Sequence, residues 1–292
     1  MNTKKYYYLI AVGILSISLS PIITRFAQSP SLVIAANRML YTVILLTPFT
    51  LKKVLGEGMG LSRQLLGLNL LSGFFLGLHF WAWIDALQNT SVANATILVN
   101  LHPVFILILG RIVFKERVDL RSVISTLIAL TGSLLIIYNS LRTLSLNPQG
   151  DLMAVLGAIF VAVYLLVGAR IRQSISNPTY TYIAYTMAFV TLLLLSFLFS
   201  TNVFDYPLTD AFVFLGLAVI PTLLGHSLFN MSLKYLDPHL VGLSILGEPI
   251  MATLWAYLLF SEELVFLQLM GGLLIVFALV YKVGFRRKGE TL

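Results

Sequence analysis

Two dipeptides, His102-Pro103 and Glu248-Pro249, each place an ionisable side chain beside a proline in the middle of a long apolar stretch. Proline has no N–H and clashes with the carbonyl four residues earlier, so a helix running through either pair must break there. The carbonyls freed are those of Val99 and Ile245. In lipid such a break is tolerated only where protein groups or water satisfy it again. An ionisable group beside the break adds to the cost, since Asp, Lys or Arg at mid-helix costs about 2.5–3.5 kcal/mol on insertion scales. That cost makes function the default reading. Glu248 is suited to binding and releasing a proton, or to holding a cationic group of a substrate, with His102 opposite it; the alternative is that both are hydrogen-bonded to neighbouring helices and serve packing alone. Glu248 and His102 are therefore the candidate coupling residues, and Pro103 and Pro249 the helix breaks.

Other polar and aromatic residues recur at helical spacing and mark faces that should line a cavity. His79 and Trp83 are four apart, as are Thr96 and Asn100. Thr222, His226 and Asn230 form one stripe, and Ser244, Glu248 and Trp255 another. Tyr164, Tyr182 and Tyr185 add aromatic surface, and at least one of Trp81 and Trp83 is expected to face inward. Tyr6, Tyr7 and Tyr8 fit an interfacial belt. Arg38 is a cation inside an apolar segment that holds no acid. It is able to pair with Glu248 or Asp85, bind a substrate carboxylate, snorkel to the interface or bond helix carbonyls. Gly73 and Gly77 make a GxxxG step that allows close helix approach, with static packing the expected role. Glu116 is expected to cap its helix and pair locally with Lys115, Arg117 or Arg121, whereas Glu262 has no basic neighbour.

Several chemistries are excluded. The chain has no cysteine, so disulfides, thiolate metal sites and a Cys nucleophile are out. Its four histidines are scattered, and no metal site is expected. There is no HExxH, no Gly-x-Ser-x-Gly and no pair of aspartates at helical spacing, which argues against an intramembrane enzyme. No nucleotide-binding loop is present, so no cofactor is expected and any driving energy should come from an ion or substrate gradient. A purely structural membrane protein would not need polar groups at midplane.

The elements that position these residues follow from composition. Of 292 residues, 58% are hydrophobic and only 11% charged, and the mean hydropathy is +0.92. A soluble domain needs far more charge at its surface. Since a bilayer core about 30 Å thick takes about 20 helical residues, the sequence predicts an all-α integral membrane protein of ten spans. They lie near 6–26, 31–51, 64–87, 91–114, 121–140, 150–171, 178–200, 208–232, 238–260 and 264–284. The first is read as a retained helix rather than a cleaved signal, because no small-residue cleavage site follows it. Short connections make neighbouring helices antiparallel.

With the amino terminus in the cytoplasm, 16 of the 19 Lys and Arg residues fall at cytoplasmic ends, Arg111, Arg170, Arg172, Lys234 and Lys282 among them. Arg25 and Arg142 fall on the other side, and the exterior loops hold Asp205, Asp210, Glu262 and Glu263. The positive-inside rule thus puts both termini in the cytoplasm, in a cell (plasma or inner) membrane. Basic residues spread over helix ends also argue against nucleic acid as the partner of the net +7 charge; the bilayer and a small-molecule substrate are the expected partners. Nothing in the sequence sets an oligomeric state.

The chain also repeats itself. At an offset of 146, half its length, Pro103 falls on Pro249, His102 on Glu248, Glu116 on Glu262, Leu87 on Leu233 and Phe80 on His226. The two halves, 1–146 and 147–292, hold five spans each, and an odd number turns the second half upside down. Inverted repeats are a recurrent architecture of secondary transporters, with the substrate site at the repeat interface near midplane.

Each half resembles an EamA-type repeat of the drug/metabolite transporter superfamily. The likeness rests on Ala86-Leu87 and Ser232-Leu233, the mid-helix Pro103 and Pro249, Glu116 and Glu262 at the ends of those spans, and Gly132 and Gly271-Gly272 in the final helices. The "AANRM" run around Arg38 is also similar to the family, although Ala184 stands where the second half would repeat the arginine. The resemblance implies a 5+5 inverted bundle around a central cavity, working by alternating access on amino acids, other metabolites or drug-like compounds. It also implies a structural role for Arg38, since second-span residues in the family usually lie away from the cavity. The expected function is secondary active export of an amino acid or amphipathic metabolite, with protons a possible coupling ion. A drug or cation efflux pump, or a flippase for a phosphorylated lipid carrier, is the alternative.

Overall fold

A computed structural model describes residues 4–58, 60–138, 147–260 and 265–284. Arg142, Glu262, Glu263, Arg286, Arg287 and Lys288 lie outside the described residues.

The regular structure of the described residues is helical, and proline together with polar caps decides where helices begin. The first crossing is α1 (Lys4–Ile17) followed by α2 (Ser20–Thr24). Then come α3 (Ser31–Gly58), α4 (Arg63–Asn89), the broken pair α5 (Val92–Val99) and α6 (His102–Ile112), and α7 (Leu120–Ile136). The rest comprises α8 (Pro148–Ile171), α9 (Asn177–Leu198) and α10 (Leu208–Leu217), which runs through a π-helical segment, Ala218–His226, into α11 (Ser227–Ser232). A second broken pair, α12 (Pro238–Ile245) and α13 (Glu248–Phe260), precedes α14 (Phe266–Gly284). Ser91, Asp119, Ser176 and Asp237 cap α5, α7, α9 and α12 by accepting a backbone N–H from the first turn, and proline occupies the first turn of α6, α8, α9 and α12. A missing N–H costs nothing there, because the first turn has no partner for it.

Eight helical segments are long and apolar enough to cross a membrane, and α7 is a shorter apolar helix of 17 residues. The protein is therefore a multi-pass, all-α membrane bundle. Its lipid-facing surface carries large apolar side chains such as Phe49, Phe197 and Val280, while its interior holds Tyr164, Tyr180, Tyr185, Phe80 and Phe214.

Packing joins distant stretches of chain. Helix α4 lies against α8 and α9, α3 against α9, α1 against the π segment and α11, and α7 against α14. The GxxxG step in α4 faces α9: a Cβ added at Gly77 would stand 2.8 Å from the Ala188 carbonyl oxygen. Gly132 and Gly271 meet reciprocally, each against the other's carbonyl, and bring α7 and α14 equally close.

One expectation, the aromatic belt, is revised at Tyr6, and two charged residues prove to be buried. Tyr6 is not a belt residue but is buried and stacks on Tyr235 at 4.1 Å, whereas Tyr8 is exposed. Arg172, among the basic residues placed at cytoplasmic ends, is buried and donates to the Asn230 carbonyl at 3.0 Å and to that of Ile175. Asp210 is wholly buried and accepts from the backbone of Gln28 and Ser29 and from the Ser29 hydroxyl. In each case a neighbouring chain segment folds over the polar group and supplies the partners that water would otherwise provide. Glu116 pairs across the bundle with Arg170 at 3.9 Å.

Candidate functional site

Both proline dipeptides break their helices as chemistry requires. Helix α5 stops at Val99 and α6 restarts at His102; α12 stops at Ile245 and α13 restarts at Glu248. Across the gaps the backbone tightens to bonds spanning three residues, Leu101 N to Leu98 O and Gly247 N to Ser244 O. The Val99 carbonyl freed by Pro103 lies 3.0 Å from Nδ1 of His102, and the other ring nitrogen, Nε2, lies 2.9 Å from the Gly242 carbonyl of α12. One imidazole thus ties the two broken helices together. A neutral imidazole donates through one nitrogen only; donating to both carbonyls takes a second proton.

The two breaks open onto one cavity of about 50 Å³. Arg38 of α3, His79, Phe80 and Trp83 of α4, His226 of the π segment and Glu248 of α13 line it, with Asn100 and His102 beside the first break. Space of this size holds a few waters, well below the roughly 300 Å³ at which small-molecule sites begin. A metabolite therefore cannot occupy it without movement of its walls. Arg38, Phe80, His79 and His102 are buried, whereas Glu248 and His226 remain partly accessible.

The walls are ordered by specific contacts. His79 Nδ1 lies 2.9 Å from the Gly157 carbonyl of α8, and the Asn100 amide donates to Ser133 Oγ at 3.1 Å. His226 meets the Phe80 ring edge to face at 5.0 Å, and the Arg38 guanidinium sits 4.0 Å above the centroid of Phe80. Arg38 Nε donates to Thr222 Oγ1 at 2.8 Å, and that hydroxyl donates in turn to the Leu217 carbonyl five residues back. A hydroxyl bond of this span belongs to the π-helical stretch, a feature often found at functional sites. Trp83 lines the cavity, while Trp81 packs on Phe199.

Arg38 is the main correction at the site: it lines the cavity rather than lying away from it. Its partner Thr222 lies 184 residues along the chain, so no local pattern could announce the contact. Phe80, which supports the guanidinium, was not among the expected lining residues; its only signal was its match with His226 across the repeat.

Tyr164, Tyr185 and Asn230 do not line this cavity and form a buried hydrogen-bonded cluster beside it. Tyr164 donates to Asn230 Oδ1 at 2.7 Å, the Asn230 amide reaches Tyr185 at 3.4 Å, and Tyr185 meets Ser227 at 3.0 Å. Ser244 turns back on the Leu240 carbonyl at 2.7 Å, and the Trp255 indole donates to Ser18 at 2.9 Å. Thr96 is half-buried on α5 and outside the lining. Helical spacing placed these residues on inward faces, but other helices reach them before the cavity does. Among the described residues no three His, Asp or Glu side chains gather as metal ligands would.

A multi-pass helical bundle in which two broken helices bring a carboxyl and an imidazole, and neighbouring helices a guanidinium and further imidazoles, to one buried cavity has the form of a membrane transporter. The EamA-like transporter family model matches the chain twice, over residues 4–138 and 148–282. The protein belongs to this family, within the drug/metabolite transporter superfamily, and is a secondary transporter of small metabolites rather than an enzyme. An uncharacterized transporter of Archaeoglobus fulgidus is 27% identical over 256 residues, covering 87% of each chain. The pseudopaline exporter CntI of Pseudomonas aeruginosa is 25% identical over 224 residues, 76% of this chain and 77% of that one. A solved crystal structure superposes over 98% of this chain and 100% of its own with a TM-score of 0.77 at 17% identity, a likeness of fold.

Proposed function

We propose that the protein exports amino acids or similar amphipathic metabolites by alternating access through the central cavity, driven by protons taken up and released at Glu248 with His102 beside it. One observation carries this reading: His102 and Glu248, at matching positions of the two halves, flank two helix breaks that open onto the same cavity. The double family match supports two repeats, 1–146 and 147–292, of five helices each in inverted orientation. The distribution of Lys and Arg supports both termini in the cytoplasm of the cell membrane. Export as the direction is supported by the relative named as an exporter. The two ring nitrogens of His102 lie against carbonyls on both broken helices, so this side chain links the two breaks structurally.

The test is efflux from proteoliposomes preloaded with a mixed amino-acid and metabolite pool, read by mass spectrometry, with and without a pH gradient. Selective loss of amino acids that accelerates with the gradient is expected. Loss of lipophilic cations alone would shift the protein to a cation efflux pump, and no loss beyond protein-free vesicles would turn attention to lipid-linked cargo.

A further inference from the structure

Within the cavity, Arg38 is a buried cation whose hydrogen bonding is incomplete. Nε is committed to Thr222 at 2.8 Å and the guanidinium plane rests on Phe80, while Nη1 reaches Ser20 only at 3.4 Å. Nη2 is buried with no hydrogen-bond partner. Among the described residues Arg38 forms no ion pair, although Glu248 lines the same cavity. A desolvated cation left without a counter-ion is costly, and five donors arranged in a fork are only half used. The Phe80 face and the Thr222 bond fix the plane and leave the Nη1–Nη2 edge as the free side.

We propose that this edge is the receptor for a substrate carboxylate, so that the transported molecule must carry both a carboxylate, held end-on by Arg38, and an ammonium, directed to Glu248. The proposal rests on the transport reading above and narrows it to zwitterions. A carboxylate matches the guanidinium edge with two parallel N–H···O bonds, replacing the long Ser20 contact and pairing Nη2. A monocation would leave Arg38 unpaired and add repulsion. A phosphate dianion would set two negative charges against one guanidinium while facing Glu248.

The test uses the full-length chain in detergent and in vesicles, with the common L-amino acids and, for each, its carboxamide, which keeps the ammonium and loses the carboxylate. Binding is followed by tryptophan fluorescence, since Trp83 lines the cavity, and efflux by mass spectrometry. Wild-type protein is expected to bind and release at least one amino acid while discriminating against its amide by about tenfold or more, the worth of one charged hydrogen bond. Arg38→Gln should abolish that discrimination and Arg38→Lys should weaken it, Lys keeping the charge without the fork. The acid–amide comparison on the unmodified protein stands even if Arg38→Gln fails to fold. Equal handling of acid and amide, or efflux confined to amines or phosphorylated compounds, overturns the zwitterion assignment and leaves transport intact. Absence of any efflux overturns both readings.

Discussion

Phe80 and His226 meet edge to face, their ring centroids 5.0 Å apart and their planes at 85°, although each occupies the other's matching position in the two halves of the chain. Phe80 offers its other interaction to Arg38, whose guanidinium lies 4.0 Å above the ring centroid. A desolvated cation over an aromatic face is stabilised by about 2 kcal/mol or more. Phe80→Leu keeps an apolar side chain of similar bulk and removes that face. The variant is expected to insert normally, to unfold at lower temperature in detergent and to transport more slowly. Wild-type thermal stability in a correctly inserted Phe80→Leu protein would show that the ring does not support Arg38.

Glu248 is partly accessible within the cavity and has no ion-pair partner among the described residues. Glu248→Gln keeps its size and hydrogen-bonding capacity and removes the titration. Export by the variant should no longer respond to an imposed pH gradient, while its thermal unfolding stays near that of wild type. An unchanged response to the gradient in properly inserted protein would remove Glu248 from coupling.

The matching break in the other half of the chain gives a stability effect instead. His102→Leu deprives the Val99 and Gly242 carbonyls of the ring nitrogens at 3.0 and 2.9 Å. Leaving a buried acceptor unpaired costs about 1–3 kcal/mol, so the variant should lose thermal stability markedly, and His102→Gln, with a donor retained, should lose less. Comparing the two by unfolding in detergent separates the lost bond from the lost volume.

The sequence was most legible where the physics is local or repeats along the chain. Apolar length marked a multi-pass helical bundle, proline set the breaks after Val99 and Ile245, and helical spacing put His79, Trp83, Asn100, His102, His226 and Glu248 on faces that line the cavity. The contacts of Arg38 could not be read locally, because its partners, Thr222 and Phe80, belong to other helices. Tyr164, Tyr185 and Asn230 were correctly inward but satisfied one another, and the 3.6-residue period cannot distinguish a helix face that meets a cavity from one that meets another helix. The π segment had one local signal, Pro221 within an apolar span, which disrupts the regular ladder without specifying what replaces it.

Two glycines of α4 give opposite expectations from the same substitution. A Cβ at Gly77 would stand 2.8 Å from the Ala188 carbonyl, whereas at Gly67 it would meet nothing within 4 Å. Gly77→Ala must push α9 away and should lower both stability and transport. Gly67→Ala should be neutral or stabilising by up to about 1 kcal/mol, through reduced backbone freedom in the unfolded chain. Equal effects at the two positions, measured by thermal unfolding, would contradict the close α4–α9 contact.

The last expectation concerns pH and the end of the bundle where α7, α12 and α14 meet. Asp119 caps α7, its carboxylate accepting from Ser122 N at 2.8 Å, and Lys282 of α14 lies 3.4 Å away; Lys282 also reaches Asp237, the cap of α12, at 3.7 Å. Partial burial pushes the Asp119 carboxyl up, but the Ser122 bonds and the Lys282 charge outweigh it and hold the group below the usual aspartate range. A carboxyl lowered in the folded state binds fewer protons there than in the unfolded chain, so its stabilising contribution is complete above the unfolded value of about 3.9. That contribution drains away as pH falls through the lower, folded value. Glu116 works in the opposite sense: burial first and the charge of Asp237 second raise it, against the pull of Arg170, so its ionisation on going to higher pH disfavours the folded state. Asp119→Asn should therefore lower thermal stability by a constant amount from about pH 5 to pH 8, and the gap from wild type should close below about pH 4. Glu116→Gln should leave acid stability unchanged and raise stability toward neutral pH. A gap for Asp119→Asn that widens on acidification would have the wrong sign for a cap held in its charged form by Ser122 and Lys282.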